Sequence, residues 1–381
     1  MSGEGRGPTL ARRIRDEGGA RGVTFRRFME LCLYDPAEGF YAGPVAGIGR
    51  EGHFLTSVSV SRLFGHILAQ QIHEVWARMG RPEPFAVIEQ GAHDGRLAAD
   101  VLGWCREFAP GLYAAARCMI VEPLGHWRER QRATLEAGGA GEKLAHAVSL
   151  DELAATPGEG VFFCNELLDA LPVARVRFSR GAWREMRVVW RGDRFHWAEG
   201  EEVSGELAGM VARIALPEIE GYATEIHDGL RPWLRSAAAA LSSGVILAFD
   251  YGLAAEAYYD AARTDGTIRA YRRHRMVADV LEAPGQQDIT AHVNWTELTS
   301  SAPAAGLECL GVVDQHHFAV GVLENDLRRL EGSRDAAALA AAFRAIAHPE
   351  GMGRLFGVAG FAKSLGGQGP LSGFRHARFL V

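Results

Sequence analysis

The chain has 381 residues, of which 48% are apolar and 23% are charged. This composition is typical of a globular protein and excludes a disordered one, and the length allows one large α/β domain with an inserted or appended subdomain. The formal net charge of −6 argues against a nucleic-acid-binding protein, because such proteins usually carry a basic excess or a basic stripe.

The N-terminal part is predicted to contain three helices and a long loop. The first two helices cover residues 9–20 and 24–33, and Thr24 is a suitable N-cap for the second. Residues 34–57 are rich in glycine and are expected to form a lid or binding segment, because long loops in compact domains often do so. The third helix, residues 61–79, leads into the next strand.

A strand, a glycine loop and a helix follow directly at residues 85–108. The strand is the apolar run FAVI, the loop is EQGAHDG, and the helix is RLAADVLGWCREF. In an open α/β sheet such a turn lies at the carboxyl end of the first strand, where glycines and helix amides let a ligand approach the backbone. A nucleotide-like cofactor is therefore the first hypothesis.

The glycine spacing separates the cofactor classes. The loop reads GAHDG at residues 91–95, which lacks the G-x-G-x-x-G pattern of dinucleotide sites and the G-K-[ST] ending of a Walker A loop. Glu89 at the strand end, followed by Gly91 and Gly95, is similar to the E/D-x-G-x-G loop of S-adenosylmethionine-dependent methyltransferases, with His93 in place of the second glycine. The alternative interpretation of these residues is an ordinary strand-to-helix turn that binds no cofactor.

The second strand of this pattern, residues 118–121, ends in Glu122. A carboxylate at that position can accept hydrogen bonds from both ribose hydroxyls of an adenosine. Glu122 is therefore predicted to bind the cofactor ribose, and the alternative is a solvated loop acid.

The remaining elements continue the α/β pattern with one interruption. A third strand is predicted at 143–148 and a fourth at 160–164, which ends in NELLDALP. Residues 174–199 alternate in polarity and indicate a meander of two or three strands, which marks an insertion. The pattern resumes with a helix at 229–241 and a strand at 245–250. The C-terminal part is predicted to contain strands at 307–313 and 316–323, followed by a helix from Asp326 to about His348.

The cysteines and the N-terminus indicate a cytoplasmic protein. The cysteines are odd in number and form no C-x-x-C pair, so reduced thiols are expected rather than disulfides or metal ligands, and no metal site is predicted. The first residues lack an apolar signal segment, and their acidic residues argue against a transit peptide. The Ala-rich stretch 336–347 is too short to span a membrane.

Several blocks of sequence between residues 25 and 295 resemble the MidA-like family of S-adenosylmethionine-dependent methyltransferases, whose mitochondrial member methylates an arginine of a respiratory complex I subunit. The most specific are NELLDALP and PGQQDITAHV. In chain order the blocks are FRRFMELCLYDPAEGFY, GHFLTS, IEQGAHDGRL, IVEP, FCNELLDALPVARV, FDYG, DGTIRAYRRH and PGQQDITAHVNW.

The resemblance implies a fold and a division of the chain. The fold would be α/β, a Rossmann-like seven-stranded class I methyltransferase domain with N-terminal helices and an inserted α+β subdomain. The N-terminal helices and lid loop would cover 1–80, and the C-terminal helix and tail would cover 326–381. The methyltransferase domain would cover 81–325, with insertions at about 174–228 and 255–300.

The resemblance also implies the residues of the site, with S-adenosyl-L-methionine as the cofactor. The cofactor-binding residues would be Thr56, Ser57, Glu89, Gly91, His93, Gly95, Glu122 and Asn165. The catalytic candidates are Glu166, Asp169, Asp250 and His292.

The chain departs from the family pattern at the predicted cofactor site. The family usually has G-D-F-x-T-S-P-E, whereas this chain has His53 for the aspartate and Val58-Ser59 for Pro-Glu. If the position of His93 requires positive φ, the histidine costs about 1–2 kcal/mol. If its side chain fills the methionine pocket, the cofactor cannot bind.

An arginine substrate gives the carboxylates a chemical role. Methyl transfer requires the nucleophile at about 3–3.5 Å from the methyl group and in line with it. Deprotonating a guanidinium at pH 7 beforehand would cost roughly 7 kcal/mol, so its proton is expected to leave during or after transfer. Glu166 and Asp169, three residues apart at a strand-to-helix turn, are placed to clamp the guanidinium and accept that proton.

Structural alternatives exist for each catalytic candidate. Asn165, Glu166 and Asp169 could cap the following helix. Asp250 could be a structural residue at a strand end, and His292 could be a packed or hydrogen-bonded histidine rather than a base. The cluster of Arg269, Arg272, Arg273 and Arg275 is a solvated face or a docking surface for a protein segment.

The sequence therefore favours an active methyltransferase acting on an arginine-containing protein segment, without nucleic-acid or membrane partners and with a homodimer as one possible assembly. A catalytically degenerate relative that serves as a binding or assembly module is the alternative. Retention of Glu122, Glu166, Asp169 and Asp250 favours the enzyme, and the residues His93, His53 and Ser59 favour the degenerate relative. A small-molecule methyltransferase is a third, weaker hypothesis.

Overall fold

The structure is a computed structural model that describes residues 9–43, 62–273, 275–330, 356–367 and 369–378. The chain forms two compact units. The first unit comprises residues 1–54, 169–230 and 253–294, and the second comprises 55–168, 231–252 and 295–381. The chain passes between the units at several points. The division into 1–80, 81–325 with insertions at about 174–228 and 255–300, and 326–381 stays a prediction.

The helices and strands of the described residues are numbered here in chain order. The α-helices are α1 (Leu10–Gly18), α2 (Phe25–Tyr34), α3 (Leu63–Arg78), α4 (Arg96–Phe108), α5 (Pro110–Ala115), α6 (Gly125–Ala137), α7 (Leu150–Ala154), α8 (Gly205–Arg213), α9 (Leu230–Ala239), α10 (Ala255–Tyr258), α11 (Trp295–Ser300) and α12 (Gln315–Leu330). The strands are β1 (Val23–Thr24), β2 (Phe85–Gln90), β3 (Ala116–Val121), β4 (Leu144–Ala147), β5 (Gly158–Asn165), β6 (Ala174–Ser179), β7 (Ala182–Arg191), β8 (Arg194–Glu202), β9 (Ala223–Ile226), β10 (Leu241–Leu253), β11 (Arg269–Arg272), β12 (Arg275–Val277), β13 (Asp288–Thr290), β14 (Val293–Asn294), β15 (Glu308–Asp314) and β16 (Phe356–Lys363).

The second unit is built on a sheet whose strands run in the order β15-β16-β10-β5-β2-β3-β4. Strands β10, β5, β2, β3 and β4 are parallel neighbours, whereas β16 is antiparallel to both β10 and β15. The residues 161–164 of the central strand β5 are all fully buried, as expected for a parallel strand covered on both faces. This seven-stranded order confirms the predicted Rossmann-like methyltransferase fold.

The first unit has its own sheets and its own apolar core. One sheet has the order β1-β7-β6-β9, with β8 paired to β7, and a smaller sheet has the order β12-β11-β13. The predicted meander is thus a set of three antiparallel strands, β6 to β8. Helix α2 begins at Thr24, whose side chain accepts a hydrogen bond from the Arg27 amide as predicted, and its Phe25 and Phe28 are buried in the core of this unit.

Two predicted C-terminal elements differ from the structure. Residues 316–323, predicted as a strand, belong to helix α12, which begins at Gln315. Strand β16 lies in the segment predicted as helix and tail. The far end of the predicted helix, near His348, lies outside the described residues. Within the residues that the structure describes, no helix has the length and hydropathy needed to cross a bilayer.

Candidate functional site

The glycine loop leaves strand β2 in a conformation that suits glycine. Gly91 has φ 78° and Gly95 has φ 81°. A Cβ atom added at Gly95 would lie 3.1 Å from Leu135 Cδ1 and 3.2 Å from Gln131 Cα. The loop therefore packs tightly against helix α6, and its conformation depends on both glycines.

His93 adopts a left-handed conformation within this loop, with φ 46°. An L-residue in this region costs about 1–2 kcal/mol. The imidazole packs against the indole of Trp127, with 4.4 Å between the ring centroids. The backbone strain anticipated at this position is therefore present.

Glu89, at the end of strand β2, is buried, and its Oε2 atom has no hydrogen-bond partner among the described residues. Burial, followed by the nearby charge of Asp94, raises the pKa of Glu89 to about 8. The carboxyl group is therefore mostly protonated at pH 7, and its proton is available for donation to an acceptor.

Glu122 lies directly after strand β3 and is nearly buried. Its Oε1 accepts a hydrogen bond from the Leu124 amide at 2.9 Å, and its Oε2 accepts one from Gln131 Nε2 at 3.3 Å. Burial raises its pKa above the usual range. The carboxylate is thus held by one bond at each oxygen, and a carboxylate has further lone pairs that can accept hydroxyl protons.

Gln131 is a residue that the sequence analysis missed. It is fully buried on helix α6, between Trp127 and Leu135 at a spacing of four residues. Besides its bond to Glu122, Gln131 Nε2 donates to the carbonyl oxygen of His93 at 2.9 Å. A polar residue within an otherwise apolar, inward-facing stripe was the available signal.

Asn165 and Glu166 come together at the end of strand β5. Asn165 Nδ2 donates to Glu166 Oε1 at 3.1 Å, and the Glu166 amide donates to the Phe249 carbonyl at 2.9 Å. Glu166 has φ 52°, an uncommon conformation for a non-glycine residue. Asn165 Oδ1 is buried and has no partner among the described residues. Strained residues and unpaired polar atoms of this kind cluster at functional sites.

Asp250 is fully buried on strand β10. Its carboxylate accepts hydrogen bonds from the amides of Leu167 at 3.1 Å, Leu168 at 2.8 Å and Tyr251 at 2.8 Å. These bonds fix the backbone that follows strand β5, and they favour the structural alternative for Asp250 over direct catalysis.

Asp169 lies in the first unit and is buried. Its carbonyl oxygen accepts a hydrogen bond from the Ala291 amide at 2.9 Å. Nearby, the Tyr41 hydroxyl donates to Asp288 Oδ1 at 2.7 Å. Burial, then the charges of Asp288, Tyr34 and Asp169, raises the pKa of Tyr41 well above its usual range. Tyr41, which feels the charge of Asp169, and its partner Asp288 were not predicted from the sequence.

His292, also in the first unit, follows Ala291. Its backbone amide donates to Thr267 Oγ1 at 3.1 Å, and its Nδ1 has no partner among the described residues. Burial, then the charges of Arg263 and Arg269, lowers the pKa of His292 to about 4. The imidazole is therefore neutral at pH 7, so it can accept a proton but is a poor proton donor.

The predicted site residues thus divide into separate sets. The structure places the glycine loop, Glu122, Asn165, Glu166 and Asp250 in the second unit, and Asp169 and His292 in the first. Thr56 and Ser57, together with His53, lie outside the described residues. Among the described residues, no cluster of His, Cys, Asp and Glu could hold a metal ion.

The residues of the second unit fit an adenosine-containing cofactor. The glycine loop allows close backbone approach at the carboxyl end of β2, and Glu122 offers acceptors at the end of the neighbouring strand. The buried, unpaired oxygens of Glu89 and Asn165 are further polar groups that a ligand can satisfy.

Comparison with known proteins agrees with this fit. Residues 67–313 match a family model described as S-adenosyl-L-methionine-dependent methyltransferase. The protein arginine methyltransferase NDUFAF7 homolog, mitochondrial, of Drosophila melanogaster is 26% identical over 85% of this chain and 75% of its own. The mitochondrial protein arginine methyltransferase NDUFAF7 of Homo sapiens is 28% identical over 78% of this chain and 69% of its own.

Two solved structures from Burkholderia thailandensis are similar along nearly the whole chain. One, bound to S-adenosyl-homocysteine, has a TM-score of 0.84 and 31% identity and covers 97% of this chain and 95% of its own. The other, a native structure, has a TM-score of 0.83 and 30% identity, with coverage of 97% and 94%.

The comparisons correct one prediction. The similar proteins of Drosophila melanogaster, Bos taurus and Homo sapiens are named mitochondrial. The prediction of a cytoplasmic protein was therefore wrong. It rested on acidic residues near the N-terminus and on reduced cysteines, and reduced cysteines do not distinguish between compartments that keep thiols reduced.

Proposed function

Because the chain belongs to a family of S-adenosyl-L-methionine-dependent methyltransferases, we propose that it methylates an arginine side chain of a protein. The names of its relatives support this substrate, as does the sequence resemblance to MidA-like proteins. The observation that carries the proposal is the strained acidic turn at Glu166, directly after the central strand β5. A cationic guanidinium is a suitable ligand for carboxylates at such a turn.

In this proposal, the second unit binds the cofactor through groups at the ends of adjacent strands. The backbone of the loop from Glu89 to Gly95 contacts the cofactor, and the Glu122 carboxylate accepts hydrogen bonds from the ribose hydroxyls. Asn165 directs its unpaired Oδ1 to the cofactor. The bound cofactor supplies a methyl group on a sulfonium. Thr56 and Ser57 are proposed to cover it on the evidence of the sequence resemblance alone.

The reaction requires little covalent assistance from the chain. Glu166 holds the guanidinium so that one nitrogen lies in line with the methyl group. Asp169 is proposed as a second carboxylate on the evidence of the sequence resemblance alone. The neighbouring Asn165 Nδ2 fixes the Glu166 carboxylate by its hydrogen bond. As the nitrogen gains a methyl group it loses a proton, which a carboxylate of this turn accepts. Asp250 acts as a positioning residue in this scheme, because its carboxylate holds the Leu167 and Leu168 amides.

His292 is proposed as a secondary proton acceptor. Its neutral imidazole and its unpaired Nδ1 are compatible with that role. It does not carry the proposal, because a pKa of about 4 makes it a weak base. The exposed Arg269 and Arg275 are proposed to dock acidic parts of the substrate protein. Homodimer formation stays a prediction.

The test is a methyl-transfer assay with a protein substrate pool. Purified protein would be incubated with methyl-labelled S-adenosyl-L-methionine and a mitochondrial extract, and the labelled proteins would be hydrolysed and analysed for methylated amino acids. We expect label in methylarginine with the natural chain and its loss with Glu166→Gln. Label in other amino acids or only in small molecules would contradict the arginine proposal. Binding of the cofactor without any transfer would favour the degenerate module.

A further inference from the structure

Gln131 provides the basis for an inference about how the cofactor site is organised. Its side chain is fully buried on helix α6, yet it is polar. A buried amide is costly unless its hydrogen-bonding groups are satisfied. Each of its polar atoms has a partner, and each partner lies on a different element of the second unit.

The amide nitrogen of Gln131 connects the two predicted cofactor segments. Nε2 donates to the His93 carbonyl oxygen at 2.9 Å and to Glu122 Oε2 at 3.3 Å. A primary amide has two N–H hydrogens, so both bonds can form together. The glycine loop after β2 and the acid after β3 are thereby joined through one side chain.

The oxygen of the same amide is held by His146. Gln131 Oε1 lies 3.0 Å from His146 Nε2 on strand β4. The pKa of His146 is lowered by burial and then by the charges of Arg132 and Arg128, so the ring is mostly neutral at pH 7. A neutral ring can donate only from its protonated nitrogen, and this contact therefore assigns the proton to Nε2.

The opposite amide orientation is unfavourable. It would direct Oε1 at the His93 carbonyl oxygen and at the Glu122 carboxylate, which are both acceptors, and would direct the NH₂ group at His146 Nε2. Three hydrogen bonds would be lost or would depend on a change of tautomer. The His93 carbonyl and the Glu122 carboxylate therefore fix the amide orientation, and His146 satisfies the amide oxygen.

We propose that Gln131 is a positioning residue for the cofactor, which sets the distance between the glycine loop and the ribose-binding carboxylate. This inference rests on the proposed role of Glu122. With Oε2 bonded to Gln131 and Oε1 to the Leu124 amide, the carboxylate cannot rotate, and its outward lone pairs face one direction. Ribose recognition then depends on Gln131, although Gln131 itself need not touch the ribose.

The test compares two ligands whose only difference is the ribose hydroxyls. The Kd values of S-adenosylhomocysteine and of its 2′,3′-dideoxy analogue would be measured by calorimetry for the natural chain and each variant. The ratio of the two Kd values isolates hydroxyl recognition from general binding. We expect the natural chain to prefer the ribose ligand by about tenfold or more, which is typical of hydrogen bonds to a charged group.

Two variants of Gln131 address the inference itself. Gln131→Met keeps the length and removes the bonds, and Gln131→Glu keeps the shape but places a carboxylate against Glu122. Both are expected to reduce the Kd ratio to that of Glu122→Gln. His146→Phe is expected to reduce the Kd ratio by a smaller factor, because the amide oxygen loses its hydrogen-bond donor. Glu129→Met, on the exposed face of the same helix, is the matched control and should leave the ratio unchanged.

The Kd ratios distinguish a failure of the Gln131 inference from a failure of the ribose role of Glu122. If the Gln131 variants weaken both ligands by the same factor, or weaken neither, while Glu122→Gln removes the preference, Gln131 is only a structural residue and the inference is overturned. If Glu122→Gln leaves the preference intact, the ribose role of Glu122 is wrong, and the inference is overturned together with that part of the proposed function.

Discussion

Two buried polar side chains, one in each unit, differ in their hydrogen bonding. In the second unit, the fully buried Gln131 has hydrogen-bond partners at both amide atoms. In the first unit, the imidazole of His227 is buried beside the Ala291 backbone, yet neither ring nitrogen has a hydrogen-bond partner of normal geometry among the described residues. Gln131 is therefore part of a preorganised polar framework, whereas His227 is a buried polar group that costs stability.

The same contrast extends to pH. Burial raises the pKa of Glu89 in the second unit to about 8, and burial lowers the pKa of His227 in the first unit to about 4. Both groups are kept neutral at pH 7, but by opposite shifts. Glu89 should therefore contribute a loss of stability on the alkaline side, and His227 a loss on the acidic side.

The largest expected effect concerns catalysis. Glu166→Gln in the second unit should lower kcat by about 100-fold to 10,000-fold, because in the proposed reaction its carboxylate orients the nucleophile and accepts the proton. Single-turnover rates with an unmethylated protein substrate would measure this loss. The Kd of S-adenosyl-L-methionine should stay unchanged. An unchanged kcat would remove Glu166 from the chemistry.

The next largest effect is the alkaline loss of stability in the second unit. A raised folded-state pKa means that Glu89 favours folding fully below its unfolded value of about 4.5 and that this contribution is lost as pH rises toward 8. Glu89→Gln should therefore gain stability relative to the natural chain by up to about 1.4 kcal/mol per pH unit in this interval. Urea unfolding between pH 5 and 8 would measure the gain. Glu129→Gln is the exposed control. If the free energy of unfolding of Glu89→Gln and of the natural chain changed with pH in the same way, the raised pKa of Glu89 would be contradicted.

The corresponding effect in the first unit has the opposite direction. A lowered pKa means that the neutral His227 stabilises the fold above its unfolded value of about 6.5, and that this contribution is lost as pH falls toward 4. His227→Gln should lessen that acid loss by up to about 1.4 kcal/mol per pH unit. Urea unfolding between pH 4 and 7 would measure this difference in the free energy of unfolding. His196→Gln on strand β8 is the control. An alkaline loss instead would remove the contrast between the units.

The smallest expected effect is at the glycine loop. His93→Gly removes the positive-φ cost of about 1–2 kcal/mol, so the Kd of S-adenosyl-L-methionine should decrease about tenfold. Calorimetric titration of both proteins measures it. Weaker binding by the variant would mean that the imidazole, packed on Trp127, supports the cofactor directly.

The sequence predicted the framework of the second unit because its signals are local. The apolar run of β2, the glycines at 91 and 95, and Glu122 at the next strand end are each readable within a few residues. Residues 316–323 were misread because a short apolar run does not separate strand from helix. Their buried residues, Phe318, Ala319, Val322 and Leu323, recur at helical spacing.

What the sequence could not predict depends on partners far along the chain. Strand β16 contains Gly357 and Gly360, which weaken a strand signal. The structure gives the reason: a Cβ at Gly357 would lie 2.7 Å from Trp295 Nε1, and one at Gly360 would overlap the Phe374 ring. The bonds of Gln131 to His93 and His146 are equally invisible without the fold.

The position of β16 has a consequence for synthesis of the protein. Residues 356–363 are the last strand of the sheet to leave the ribosome, yet they lie between β10 and β15, which are made earlier. Until they emerge, β10 has an open edge on that side, and β15 has no neighbour through which to join the sheet. The nascent chain therefore displays an unpaired apolar strand edge, the kind of surface that chaperones cover and that aggregates when left exposed.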